Sequence, residues 1–226
     1  MVSDAVAWRR HLHRHPELSF REHETARFVR EKLASFGELE IQTPTATSVV
    51  AHLRGARPGR ALALGADLDA LPIDEASGEE FASEREGVMH ACGHDGHTAM
   101  LLAVARLLVA RRSELAGEVR FVFQHAEEQP PGGASELVAA GVVDGVDAVI
   151  GCHLLSTLEL GRIAVRDGCC TAAADTFAVR IQGRGGHAAF PHETVDPVLA
   201  SAVAITSLQP GRGPGADHRN RSADGR

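Results

Sequence analysis

Apolar positions recur at helical spacing early in the chain and then give way to short continuous runs. Ala26, Val29, Leu33 and Phe36 share one side of a 3.6-residue period, which predicts a helix over residues 22–36 with Gly37 as its stop. A preceding helix, capped by Ser3 or Asp4, ends before Pro16. Residues 48–53, 61–66, 119–123 and 148–152 are short apolar runs that read as strands, with helices over 96–111 and 133–140 between them. Strands separated by helices predict an α/β fold, a mostly parallel sheet flanked by helices. Ligands of such sheets sit beyond the carboxyl ends of the strands.

The pattern changes after residue 168. Residues 176–182 alternate, with Phe177, Val179 and Ile181 on one side, and predict a half-buried strand. A turn, Gly183-Arg184-Gly185-Gly186, leads to His187, and residues 196–208 read as a helix. These features place a domain boundary near residues 168–174. The segment 210–226 holds no Val, Ile, Leu or Phe, cannot bury a core, and is expected to be disordered. So abrupt a loss of apolar pattern is what a shifted reading frame or a cut gene would leave.

Polar residues collect at the predicted strand ends. Asp67 and Asp69 follow one strand, Glu127 and Glu128 a second, and His153 a third. Between the first two lies His90-Ala91-Cys92-Gly93-His94-Asp95-Gly96-His97, a thiol and several imidazoles in one turn before a helix. The helix N-terminus is expected to lower the Cys92 pKa and favour a thiolate. Cys92, His94, Glu128 and His153 offer mixed sulfur, nitrogen and oxygen donors suited to Zn²⁺, with Mn²⁺, Co²⁺ or Ni²⁺ as alternatives. One carboxylate of the Glu127-Glu128 pair can bind metal while its neighbour holds a water as general base. Asp69 can hold a ligand histidine in place. A Cys92–His94 nucleophile site leaves the acids without a role. A two-carboxylate glycosidase needs acids about 5 Å or more apart across a bond, which sequence neighbours rarely achieve.

Composition narrows the setting. The 226 residues are 44% hydrophobic, enough for a sizeable core, and the net charge of −7 with scattered Lys and Arg suggests neither a nucleic-acid groove nor a membrane surface. Cys92, Cys152, Cys169 and Cys170 do not form a disulfide framework, and no apolar leader or membrane-length run is present, so a cytoplasmic setting is expected. Among thirteen histidines, His11, His13 and His15 alternate near the end of the first helix and read as solvated.

Several stretches together resemble the M20 metallopeptidases, in particular the amidohydrolase branch with hippurate hydrolases, N-acyl-amino-acid amidohydrolases and auxin-conjugate hydrolases. They are Arg9-Arg10-x-Leu12-His13-x-x-Pro16-Glu17-Leu18-Ser19-Phe20, Ala66-Asp67-Leu68-Asp69-Ala70-Leu71-Pro72-Ile73 and the 90–97 cluster. Further on come Gln124-His125-Ala126-Glu127-Glu128, Gly151-Cys152-His153 and Gly183-Arg184-Gly185-Gly186-His187-Ala188-Ala189-Phe190-Pro191-His192. The resemblance implies a two-metal hydrolase acting on N-acyl amino acids or small peptides. Cys92, His94, Glu128 and His153 fall on ligand positions, Glu127 on the general base, and His187 on a histidine that reaches the partner subunit's site. It also implies a catalytic domain (residues 1–170) interrupted by an α+β lid (from 171, here to 209) that forms a homodimer. Gly65 and His125 depart from the usual Arg and Pro. The rest of the lid and a final histidine ligand of the family lie past residue 226, and an alternative expectation is a non-catalytic remnant that at most binds metal or associates through its lid strand.

Overall fold

A computed structural model describes residues 2–165, 167–168 and 176–208. Helices α1 (Val2–Arg14) and α2 (His23–Phe36) form where the periodicity predicts them. Helix α1 begins before Ser3 and Asp4, so neither caps it from outside. Asp4 lies in its first turn and pairs with Arg106 at 3.0 Å. The strands are β1 (Glu40–Gln42), β2 (Val49–Arg54), β3 (Arg57–Asp67), β4 (Ala116–Gln124) and β5 (Ala148–Gly151). Helix α3 (His94–Ala110) lies between β3 and β4, and α4 (Gly133–Ala139) between β4 and β5.

The sheet order is β1-β2-β4-β3-β5. β1 pairs with β2 and β2 with β4 antiparallel, while β4–β3 and β3–β5 are parallel. The α/β expectation therefore holds, with the parallel half at the β4-β3-β5 end. Two registers matter for function: Asp67 lies opposite Gln124, and Gly65 opposite Gly151. The segments that leave β3, β4 and β5 consequently emerge side by side at one edge.

Side-chain alternation sends the strands' apolar residues to both faces. Val49, Ala51, Leu53, Phe121 and Phe123 pack with Val29 and Leu33 of α2 and Leu102 and Ala105 of α3. Val50, Ala63 and Val122 pack on the other side with Leu137 of α4 and Val142. Strand β5 is different: all four of its residues are exposed, Val149 at 63%.

The chain divides into two compact units, Met1–Ile163 and Ala164–Arg226. The second contains α5 (Pro197–Ser207), whose first turn is capped by Asp196 Oδ1 accepting from Val198 N (2.8 Å) and Leu199 N (3.4 Å). The strand expected over 176–182 is not formed. Its alternating residues Phe177 and Val179 are exposed, and the pairing nearby is a single bridge between Arg184 and Val195. Alternation makes a strand only where a partner supplies the ladder, and none does so for 176–182 among the described residues. Cys169, Cys170, the tail 210–226 and most of the expected boundary at 168–174 lie outside the described residues. Among the described residues, no helix is long and apolar enough to cross a membrane.

Candidate metal centre

The site is assembled from the ends of the three parallel strands and the first turn of α3. After β3, Leu68 turns into the core and Asp69 is left buried at its carboxyl end. Asp69 Oδ2 accepts from Ser19 Oγ at 2.7 Å and from the backbone N–H of Glu128 at 2.9 Å. One carboxylate thus ties the loop after β4 to the loop after β3. Gly93, at φ +94°, turns the chain between Cys92 and His94, a conformation that costs a side-chain-bearing residue strain. Three residues on, a Cβ at Gly96 would lie 2.4 Å from Leu154 Cδ1, so a glycine there lets the loop after β5 close on α3.

His94 is the hub. Its Nδ1 donates to the Asp69 carbonyl oxygen at 2.9 Å and lies 3.3 Å from Asp69 Oδ1. That leaves Nε2 to face Asp67 Oδ2 at 3.5 Å and Glu128 Oε1 at 3.7 Å. His153 is oriented in the same way: Nδ1 donates to the Leu154 carbonyl at 2.7 Å, and Nε2 faces Cys92 Sγ at 3.4 Å. Three groups bring ligand atoms within 4.8 Å of one another: Cys92–His94–His153, Asp67–His94–His97 and His94–Glu127–Glu128. The second is closed by its own hydrogen bonds, because His97 gives Nδ1 to Asp67 (2.6 Å) and takes Leu154 N–H on Nε2 (2.8 Å). The other two contain ligand atoms with no partner. His94 Nε2 and Glu128 Oε1 are both buried without a hydrogen-bond partner. Buried polar atoms are seldom left so, and two of them 3.7 Å apart between a thiol and a second imidazole fit a divalent cation.

The electrostatics agree with that fit. Burial opposes a charge on His94, yet the Asp69 hydrogen bond and the carboxylates of Asp67, Asp69 and Glu128 raise its pKa to about 9. Burial also works against Asp69, but His94, Ser19 and the backbone amides of Glu128 and Glu127 hold it well below the usual carboxylate range. The pocket is built for positive charge. Glu127 is pushed up, first by burial and then by the Glu128 charge beside it. The expected direction for Cys92 is corrected: burial, then Glu128, Asp67 and Glu127, push its thiol up to about 12. Burial and the surrounding carboxylates outweigh the end of α3. Cys92 would hold a cation there as its thiolate, since a coordinating thiol is deprotonated outright.

Of the residues expected from sequence, Asp69, Cys92, His94, Glu127, Glu128 and His153 converge in the first unit. His187 belongs to the second, where its Nδ1 accepts from Ala189 N at 3.1 Å. The reading of His13 as solvated is corrected. It is 5% exposed and bridges Asp95 Oδ2 (2.8 Å) to Glu75 Oε1 (3.1 Å), with Arg9 on the same Asp95 oxygen at 2.9 Å. Asp67, expected at a strand end, faces His94, and His97, which carries no expected role, is its hydrogen-bond partner. The signal available was the three-residue spacing of His94 and His97, which puts both on one side of a helix opposite a strand end.

These features define an α/β protein with a cation-binding cluster of Cys, His and carboxylate side chains beyond its parallel strand ends. Residues 63–220 match the model for peptidase family M20/M25/M40, and the chain belongs to that family. It is 58% identical over 207 residues to an N-acyl-L-amino acid amidohydrolase of Geobacillus stearothermophilus, covering 92% of this chain and 56% of that protein. It is 47% identical over 202 residues to thermostable carboxypeptidase 2 of Saccharolobus solfataricus, covering 88% and 51%. The crystal structure of the Bacillus subtilis YXEP protein, a dinuclear metal-binding peptidase of the M20 family, superposes with a TM-score of 0.71 at 45% identity, over 74% of this chain and 47% of that one. The chain spans about half the length of the curated relatives it matches.

Proposed function

We propose that the protein is the metal-binding part of an amidohydrolase that cleaves the amide bond of N-acyl amino acids or small peptides. The observation that carries this is the pair of buried, unpartnered ligand atoms, His94 Nε2 and Glu128 Oε1, facing each other beside Cys92 and His153. The name of the Geobacillus relative supports the substrate class, and the dinuclear centre of the YXEP protein supports two ions. Cys92, His94, Glu128 and His153 would hold divalent metal, Zn²⁺ or Mn²⁺ with Co²⁺ or Ni²⁺ as alternatives. Bound there, a divalent metal supplies a Lewis acid and lowers the pKa of a coordinated water. Glu127, the exposed member of the His94–Glu127–Glu128 group, takes a proton from the attacking water and returns it to the leaving nitrogen. Asp69, held well below the usual carboxylate range, keeps its charge in the metal-free site. His187 is read as a donor to the oxyanion, supplied across a homodimer formed through the second unit, in a cytoplasmic enzyme.

A second reading, a chain that binds metal without turnover, is favoured by the exposure of all of β5 beside the site. Equilibrium dialysis of the chain against Zn²⁺ or Mn²⁺, followed by assay of the complete enzyme on N-acetyl and N-benzoyl amino acids, separates the readings. Metal binding with turnover supports the first and metal binding without turnover the second. A chain that retains no metal overturns both.

A further inference from the structure

The connection between α1 and α2, residues 15–22, runs alongside both site loops and touches each of them. Leu18 bridges to Ala70, Ala70 N donates to the Glu17 carbonyl at 2.8 Å, and Ser19 Oγ donates to Asp69. Phe20 takes φ +65° and sets its ring edge-on against His125, with centroids 5.7 Å apart. Glu22 is fully buried. Its Oε1 accepts the backbone N–H of Ala126 at 2.7 Å, while Oε2 has no hydrogen-bond partner. A buried carboxylate with one oxygen unsatisfied is costly to keep, and a hydrocarbon side chain of the same size would avoid that cost. What Glu22 gains is control of Ala126, whose φ of +47° is a left-handed conformation that alanine disfavours.

Ala126 is the residue from which the chain swings out of β4 into Glu127 and Glu128. On its far side the backbone is held again, by Asp69 Oδ2 on the Glu128 N–H. Two carboxylates 47 residues apart in sequence, Glu22 and Asp69, therefore clamp the three-residue segment that bears both functional glutamates. Strained backbone of this kind persists only where the surroundings over-determine it.

We infer that Glu22 is a positioning residue: by holding Ala126 in the left-handed region it aims Glu127 and Glu128 at His94. This rests on the metal-centre reading of His94 and Glu128, but its structural half does not. The role demands a side chain with an acceptor that reaches Ala126, not one with a charge. E22Q keeps the reach and loses the charge, whereas E22D keeps the charge and is one methylene too short.

The test compares wild type, E22Q and E22D in the 226-residue chain by two measurements. One is amide hydrogen exchange in peptides covering 125–129, with peptides of β4 as an internal reference. The other is Co²⁺ affinity, read from the thiolate-to-cobalt absorption band. The expected result is that E22D speeds exchange in 125–129 by tenfold or more over the β4 reference and weakens Co²⁺ binding by tenfold or more. E22Q stays within about threefold of wild type on both. The inference is overturned if E22D holds Co²⁺ and protects 125–129 as well as E22Q does. It is also overturned if both variants raise exchange evenly through β4, the mark of a merely structural role. If wild type binds no Co²⁺ the metal-centre reading fails by itself, and the exchange comparison still decides whether Glu22 holds Ala126.

Discussion

Replacing Asp69 by Asn should leave the fold nearly intact and damage the metal site. The retained amide oxygen can still accept from Ser19 Oγ and Glu128 N, the two donors that Asp69 Oδ2 now serves at 2.7 and 2.9 Å. The amide NH₂ then takes the place of Oδ1, 3.3 Å from His94 Nδ1. Nδ1 already carries a proton for the Asp69 carbonyl, so two donors would face each other. The ring relieves this by turning away or by moving its proton to Nε2, and either change removes the lone pair a metal needs. Loss of such a supporting partner costs about 10–100-fold in metal affinity. Asp69→Ala additionally orphans the Glu128 N–H and the Ser19 hydroxyl, at about 1–3 kcal/mol for each buried donor. The assay is urea unfolding followed by Trp8 fluorescence, the single tryptophan and part of the main core, together with Co²⁺ titration. The reasoning is refuted if Asp69→Asn binds Co²⁺ as tightly as wild type, or if Asp69→Ala unfolds at the wild-type urea midpoint.

Four other outcomes follow from the same geometry. Glu127→Gln in the complete enzyme should keep metal content near wild type while turnover falls by about 10² or more, and Glu128→Gln should lower metal occupancy; equal loss of metal in both would void that division. Metal affinity should climb with pH through about 9 and beyond, because the protons of His94 and of the Cys92 thiol must both leave before Nε2 and Sγ can bind; a flat profile between pH 6 and 9 would contradict it. In the metal-free chain the sign reverses: with the folded pKa raised above 6.5, the stability His94 contributes is complete below that value and is lost as pH rises through about 9. Phe121→Ala, which empties a fully buried site in the main core, should cost about 3–5 kcal/mol in urea unfolding, and a cost under 1 kcal/mol would mean that the sheet–helix packing is wrongly described.

Much of this site is legible in the sequence because a parallel sheet converts order along the chain into position in space. Three apolar runs, each followed by Asp69, Glu128 or His153, suffice to bring those residues to one edge once the strands align. Helix α2 is equally plain, since Val29 and Leu33 fall on the period that faces the sheet. Other features depend on partners that no local pattern announces. His13 alternates with His11 and His15 like a surface residue, and only the packing of α1 on α3 turns it onto Asp95. Residues 176–182 alternate like a strand, but alternation supplies a face and not a neighbour to pair with. The thiol of Cys92 precedes a helix, which argues for a low pKa, yet burial, with three carboxylates from two distant loops, reverses the direction. Glu22 reads from sequence as the start of a helix, and its bond to Ala126 crosses 104 positions. The short strand β1 and its antiparallel pairing were likewise invisible, three residues being too few to show a period.

The central proposal is that this protein belongs to an amidohydrolase whose turnover depends on a divalent metal held by Cys92, His94, Glu128 and His153. The direct measurement is hydrolysis of an N-acetyl amino acid by the complete enzyme before chelation, after chelation with residual metal determined by elemental analysis, and after metal is restored. The account predicts turnover in the first state, none in the second, and recovery in the third for wild type but not for His94→Ala. Turnover that persists in enzyme verified to be free of metal would contradict it.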